Sequence, residues 1–220
     1  NAYLLNPAAS GVYDYIDISI GARQQWLGFN NAPQTFYVSG HTSLTGGMPK
    51  YNPSLRTGRR GPTRTPDIKT GKIKHVVGGY MMKDKYGAFN QYNMMGTYAF
   101  HLPVMSGYNL SFGIGAGVSQ YTFDQTEVEM LTPGDQTYAN YIGNGTNRWF
   151  GDLSAGLWFY SNELFVGLSS SQIIRDYLSF GSSSFANYEL KNHYKATAGY
   201  KFQINRDIAI TPAFLLKYMS

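Results

Sequence analysis

Alternation with a period of two residues is the feature that most constrains how this chain folds. From Tyr108 to Ser119, large or aliphatic side chains occupy every second position, and Asn, Ser and Gly occupy the positions between them. A β-strand sorts two such sets onto opposite faces, whereas a helix would mix them around its circumference. The pattern predicts a strand over 108–121, and its recurrence along the chain predicts an all-β protein.

The same alternation predicts nine strands. They lie near 15–28, 34–43, 74–83, 89–102, 108–121, 149–160, 163–171, 188–204 and from 208 onward. Nine strands leave two edges unpaired, and bacterial single-chain barrels have even strand counts. We therefore expect one antiparallel barrel domain over 1–220, completed by chain beyond Ser220.

The composition of the two strand faces indicates a barrel in a membrane. Charged residues make up only 14% of the chain and aromatic residues 16%, with 25 glycines, yet the mean hydropathy is −0.30. The face opposite the apolar set is too small and polar to fill a dry core, but it suits a wet or plugged lumen. A soluble, lipocalin-like barrel is the less favoured interpretation.

The predicted connections divide by length between the two ends of the barrel. Those after the fourth, sixth and eighth strands are tight, whereas 122–148 and 172–187 are long and polar. Short turns on the periplasmic side and long loops outside are typical of bacterial barrels. The long segment 44–73 breaks this rule, and we expect it at the periplasm or inside the lumen.

Several motifs resemble the PorP/SprF family. Leu5 to Gly11, with Asn6 and Pro7, resembles its N-terminal signature, and 23–35, with Trp26 and Gly28, resembles its first hairpin. Residues 83–89, with Asp84 and Gly87, are similar to a family turn. Further similar stretches are 97–102, 110–117, 156–160 and 190–200. Two departures are Ala88, where Pro is common in the family, and 48–72, which looks like an insertion.

The resemblance implies an outer-membrane barrel of the type IX secretion and gliding motility apparatus of Bacteroidetes. Its implied partners, besides outer-membrane lipid, are a large secreted adhesin with a type B C-terminal domain and periplasmic lipoproteins or peptidoglycan-binding proteins. The implied role is to assist export or surface anchoring of that adhesin.

Two charged segments are candidate partner-binding sites. The basic segment 50–74 contains a single acid, Asp67, and its cations include Lys50, Arg56, Arg59, Arg60 and Arg64. It is interpreted as a docking arm for an acidic periplasmic protein, a lumen plug, or a solvated loop. Nucleic-acid binding is not expected, because no aromatic platform is interleaved with the charges.

The acidic segment 122–148 lies on the predicted extracellular side. It carries the candidate partner-binding residues Asp124, Glu127 and Glu129. It either receives a secreted partner or is a plain acidic surface loop. It lacks the loop pattern of a Ca²⁺ site.

Catalytic, metal-binding and cofactor-binding motifs are not expected. The chain has no cysteine, and its four histidines, at 41, 75, 101 and 193, are isolated from one another. A barrel enzyme would assemble its site from distant residues, so a catalytic role is a third interpretation. The leading one is a non-enzymatic interaction protein, and the second is a diffusion porin or solute channel.

Overall fold

A computed structural model describes residues 1–13, 15–29, 31–45, 72–124, 147–173, 177–179, 187–189, 192–205 and 208–219. One short 3₁₀ helix, Pro7–Ala9, precedes the strands. The strands are β1 Asp17–Gln24, β2 Gln34–Ser43, β3 Lys74–Tyr86, β4 Phe89–Met105, β5 Tyr108–Phe123, β6 Asn147–Tyr160, β7 Leu164–Ser171, β8 Tyr177–Ser179, β9 Asn187–Glu189, β10 His193–Tyr200, β11 Phe202–Gln203, β12 Ala209–Ile210 and β13 Ala213–Met219.

Nine of these strands form one antiparallel sheet. Its order is β1-β2-β3-β4-β5-β6-β7-β10-β13, so each strand pairs with the next long strand along the chain. The sheet curls into a half-barrel. The predicted antiparallel, outer-membrane type of β-barrel fold is therefore confirmed, and so is the count of nine long strands. Completion of the barrel by chain beyond Ser220 stays a prediction.

The two ends of the sheet receive different connections. The loop end is the end where β1, β3, β5 and β7 finish, and the turn end is where β2, β4, β6 and β10 finish. A two-residue turn joins β4 to β5 at the turn end, and three residues join β6 to β7 there. The tight connections predicted after the fourth and sixth strands thus lie at the same end, but a two-residue turn also joins β3 to β4 at the loop end.

The two faces of the sheet have the burial expected of a membrane barrel. Along β5, Asn109, Ser111 and Ser119 are fully buried on the concave inner face. Phe112 and Ile114, on the convex outer face, are 44% and 62% exposed. A soluble protein has the reverse arrangement, because water drives apolar groups inward. Lipid on the outer side removes that drive.

Several predicted strand boundaries are wrong, among them the start of the ninth strand, expected at 208 and observed at Ala213. Two have a local reason. The first strand was expected to reach residue 28, but β1 ends at Gln24 because Trp26 and Gly28 adopt left-handed φ values of 51° and 98°. The eighth was expected over 188–204. Instead β10 ends at Tyr200, opposite Pro212, and β11 pairs separately with β12. A proline has no N–H to continue the ladder.

Helical structure is minor in the described part of the chain. No helix there has the length and apolar character needed to cross a bilayer.

Candidate functional site

Residues Asn1–Val12 lie across the concave inner face of the sheet, and we call this segment the plug. Its 3₁₀ helix contacts β4, β5, β6 and β7. Tyr3, Asn6, Ala8 and Ser10 are each at most 3% exposed, so the plug is covered by the sheet over much of its length. A buried segment without sheet pairing must satisfy its polar groups in other ways.

Asn6 is the centre of the plug's polar contacts. Its Nδ2 donates to the backbone oxygens of Leu157 at 2.9 Å and Leu168 at 3.1 Å, which are cross-strand partners on β6 and β7. Its Oδ1 accepts from the backbone N–H of Ala8 at 2.9 Å, capping the 3₁₀ helix. One amide therefore starts the helix and fixes it to two strands, which neither an aliphatic side chain nor a carboxylate can do.

Proline and serine complete the turn that follows Asn6. Pro7 occupies the first helical position, where the missing N–H costs nothing. The Ser10 hydroxyl donates to the Pro7 oxygen at 2.9 Å, so this buried turn is closed internally. The signature pair Asn6 and Pro7 thus lies in one of the parts of the plug that contact the sheet.

Two inward-facing glycines make room for the plug. A Cβ at Gly113 on β5 would overlap the backbone of Pro7 and Ala8. A Cβ at Gly156 on β6 would overlap the Asn6 side-chain oxygen. Because a backbone neighbour cannot swing aside, Gly113 is required by close approach rather than by its own φ.

Tyr3 anchors the other end of the plug. Its hydroxyl and the Thr97 hydroxyl on β4 are 2.7 Å apart, and its ring meets that of His41 edge-on at 4.8 Å. Burial raises the pKa of the Tyr3 phenol, and the hydrogen bond with Thr97 lowers it in part. The phenol is therefore neutral at physiological pH. Further along, the Gly11 N–H donates to Nδ1 of His41 at 3.3 Å.

The plug lies between two cavities. The loop-end cavity is lined by Tyr80, Asn93, Asp152, His193 and Lys195 beside the plug. The turn-end cavity is lined by His41, Trp158, Tyr160 and Phe165, with Val12 and Tyr13. Tyr3 borders both cavities. The segment therefore separates these two cavities on the inner face of the sheet.

A buried polar cluster borders the turn-end cavity. The Tyr160 hydroxyl lies 2.8 Å from Nδ1 of His101 and accepts from Nδ2 of Asn109 at 3.1 Å. His101 is thus a hydrogen-bonded histidine on the inner face. Within the described residues, no three His, Asp or Glu side chains converge as metal ligands.

The predicted partner-binding residues fall mostly outside the described residues. These are Lys50, Arg56, Arg59, Arg60, Arg64, Glu127 and Glu129. Asp124 is described, and it follows β5 at the loop end, where its N–H donates to the Ala88 oxygen at 2.7 Å.

The remaining signature residues lie at the loop end, away from Asn6 and Pro7. Trp26 and Gly28 shape the connection after β1, with Phe29 N–H donating to the Trp26 oxygen at 3.2 Å. Asp84 is 7% exposed near the end of β3, and Gly87 forms the tight β3–β4 turn with φ 57°. The signature thus marks two separate places, the plug and the loop end.

A curled antiparallel sheet with an apolar outer face, a polar inner face and an internal segment defines an outer-membrane β-barrel protein with a plug. A family model described as type IX secretion system membrane protein PorP/SprF matches residues 1–220, and the chain belongs to this family. Comparison with curated proteins gave no match. Comparison with solved structures gave none either. Both the barrel fold and the family fit an outer-membrane location.

Proposed function

We propose that this protein is a non-enzymatic scaffold that assists export or surface anchoring of a large secreted adhesin. The adhesin's type B C-terminal domain would be received at the loop end, and periplasmic lipoproteins or peptidoglycan-binding proteins at the turn end. Membership of a type IX secretion membrane family supports a role in that system. The adhesin, the periplasmic partners and the gliding role come from the family resemblance.

The observation that carries the proposal is the plug. An interior occupied by a segment held through Asn6 and Tyr3 suits a scaffold that presents its two ends to partners. The alternative, a diffusion porin or solute channel, requires a continuous polar path, and the plug counts against it. The described inner face offers no metal-ligand cluster, and we assign no catalytic role to it.

Partner recovery from native membranes tests the proposal. The tagged protein should retain a secreted adhesin and periplasmic proteins, which mass spectrometry identifies. Reversing three charges together (Arg56→Glu, Arg59→Glu and Arg60→Glu) should lower periplasmic partner recovery severalfold, because an acidic partner loses its attraction. Insertion into the membrane should be unchanged.

The matched control is Arg148→Glu, a charge reversal at the loop end at the start of β6. It should leave periplasmic partner recovery at the wild-type level. Equal recovery by the triple variant would argue against the basic segment as a docking arm. Absence of any secreted or periplasmic companion from the wild type would overturn the scaffold role itself.

A further inference from the structure

The outer face of the sheet changes from apolar to polar across three rows of cross-strand neighbours near the loop end. The apolar row is Val38, Met81, Met94 and Val118. The boundary row, two residues nearer the loop end, is Phe36, Lys83, Tyr92, Gln120 and Trp149. The polar row beyond it is Gln34, Lys85, Asn90, Thr122 and Asn147. Aromatic residues in the boundary row mark the membrane interface.

Two hollows meet at Lys83 on this surface. One is an apolar groove, which runs over the apolar row and is bordered by Phe36 and Trp149. The other is a more polar hollow, lined by Gln24, Gln34 and Lys85. Phe36 and Lys83 line both hollows. An amphiphile laid along this path would have its apolar part in the groove and its headgroup beyond Lys83.

Lys83 carries an exposed positive charge at the junction. Its Nζ lies 5.2 Å from the centre of the Tyr92 ring, which orients the side chain across the boundary row. In the described part of the chain, no carboxylate is within ion-pair distance of it. Lys85, the next outward residue of β3, places a second cation in the polar hollow. Two cations beside an apolar groove are complementary to a lipid phosphate.

We propose that this junction is a binding site for a phosphorylated, acylated glycolipid of the outer leaflet. One acyl chain lies in the apolar groove, the phosphate binds Lys83 and Lys85, and the sugar hydroxyls meet Gln24 and Gln34. The choice of a glycolipid follows from the place of the site at the loop end, since long loops face the cell exterior in bacterial barrels. A simpler explanation is that Lys83 is a long cationic side chain that reaches water at the membrane interface. That explains the position of Lys83, but it does not explain why two hollows meet beside it.

Lipid retention by the purified full chain tests this site. The protein in detergent is incubated with diphosphoryl lipid A, and bound lipid is counted by native mass spectrometry. Wild type should retain the lipid. Lys83→Gln should lower its affinity about tenfold, the effect of losing one charge-assisted contact. Lys83→Arg should retain it, because the charge remains.

The matched control is Lys201→Gln, a partly exposed lysine just after β10 at the turn end. It should bind lipid A as wild type does. Equal binding by Lys83→Gln and wild type would overturn the proposal. So would complete displacement by inorganic phosphate, which would show that the groove contributes nothing, or equal retention of phosphatidylglycerol, which would remove the glycolipid assignment.

Discussion

The Asn6 side chain makes more of the plug's hydrogen bonds than any neighbouring side chain in that segment. It reaches carbonyls 151 and 162 residues along the chain while capping its own 3₁₀ helix. Hydrogen bonds of this kind contribute about 1 kcal/mol each, but leaving their buried partners unsatisfied costs about 1–3 kcal/mol per group. Docking of the plug therefore depends on both the donor and the acceptor of the Asn6 amide, and not on the volume of the side chain.

Replacing Asn6 by alanine should release the plug from β6 and β7. We expect docking of the segment to weaken by about 2–4 kcal/mol, because two carbonyls and one N–H lose their partner. Hydrogen exchange at the Ala8 amide should accelerate accordingly, by a factor of about 30 or more.

Two further variants separate the roles of the Asn6 side chain. Asn6→Asp keeps the acceptor for Ala8 but sets a carboxylate against two carbonyl oxygens, so its exchange should also be fast. Asn90→Ala, at an outward-facing amide on β4, is the control and should exchange as wild type does. Slow exchange in Asn6→Ala would contradict the assigned role.

The sequence identifies Asn6 and Pro7 by resemblance but does not reveal where they lie. Their partners are set by which strands close around them, and periodicity carries no information about such distant contacts. One signal was present: Gly113 and Gly156 stand on the inner face where Ser or Asn is equally compatible with a wet lumen. A glycine at those positions indicates that another backbone segment or side chain comes too close to leave room for a Cβ.

At the scale of single strands, local pattern is nearly sufficient. The second strand was predicted over 34–43 and is observed as Gln34–Ser43. Alternation is a property of adjacent residues, so the prediction needs no knowledge of neighbouring strands. The prediction from alternation fails where the backbone leaves the strand although the alternation continues, as at Trp26 and opposite Pro212.

Gly113→Ala tests the fit between β5 and the plug. The added Cβ overlaps the backbone of Pro7 and Ala8, so we expect a loss of about 1–3 kcal/mol in the free energy of unfolding. Urea unfolding in detergent, followed by the change in electrophoretic mobility, measures it.

Gly96→Ala on β4 is the matched control for this substitution. Gly96 faces outward, and the nearest atom to its added Cβ is the Ala116 oxygen at 3.8 Å. It should unfold at the wild-type urea concentration. An equal loss of stability in both variants would mean that any glycine in these strands is needed for stability. It would contradict the assigned role of Gly113 in making room for the plug.

At the scale of the whole molecule, the plug decides whether the interior conducts. In planar bilayers the protein should pass little current, since the segment separates the loop-end and turn-end cavities. Deleting residues 1–12 should raise single-channel conductance severalfold. A variant with residues 1–12 in scrambled order, equal in length and charge, tests whether specific contacts matter and should also conduct.

Large current through the wild type would favour the porin alternative over the scaffold. The sequence alone left that question open, because inner-face polarity is the same in an open pore and a plugged one. The structure adds Asn1–Val12 as an occupant of the inner face, and a plug role for the segment 44–73 stays a prediction. That segment lies largely outside the described residues.

The position of the plug also sets an order of assembly. Asn1–Val12 is synthesised before the nine strands of the sheet, yet its 3₁₀ helix contacts β4 to β7, and the Leu5 oxygen accepts from the Ser169 hydroxyl, 164 residues further along the chain. It must therefore wait, without its partners, until those strands have come together, and contacts of such long sequence separation form slowly. Docking of the plug is accordingly among the last steps of maturation.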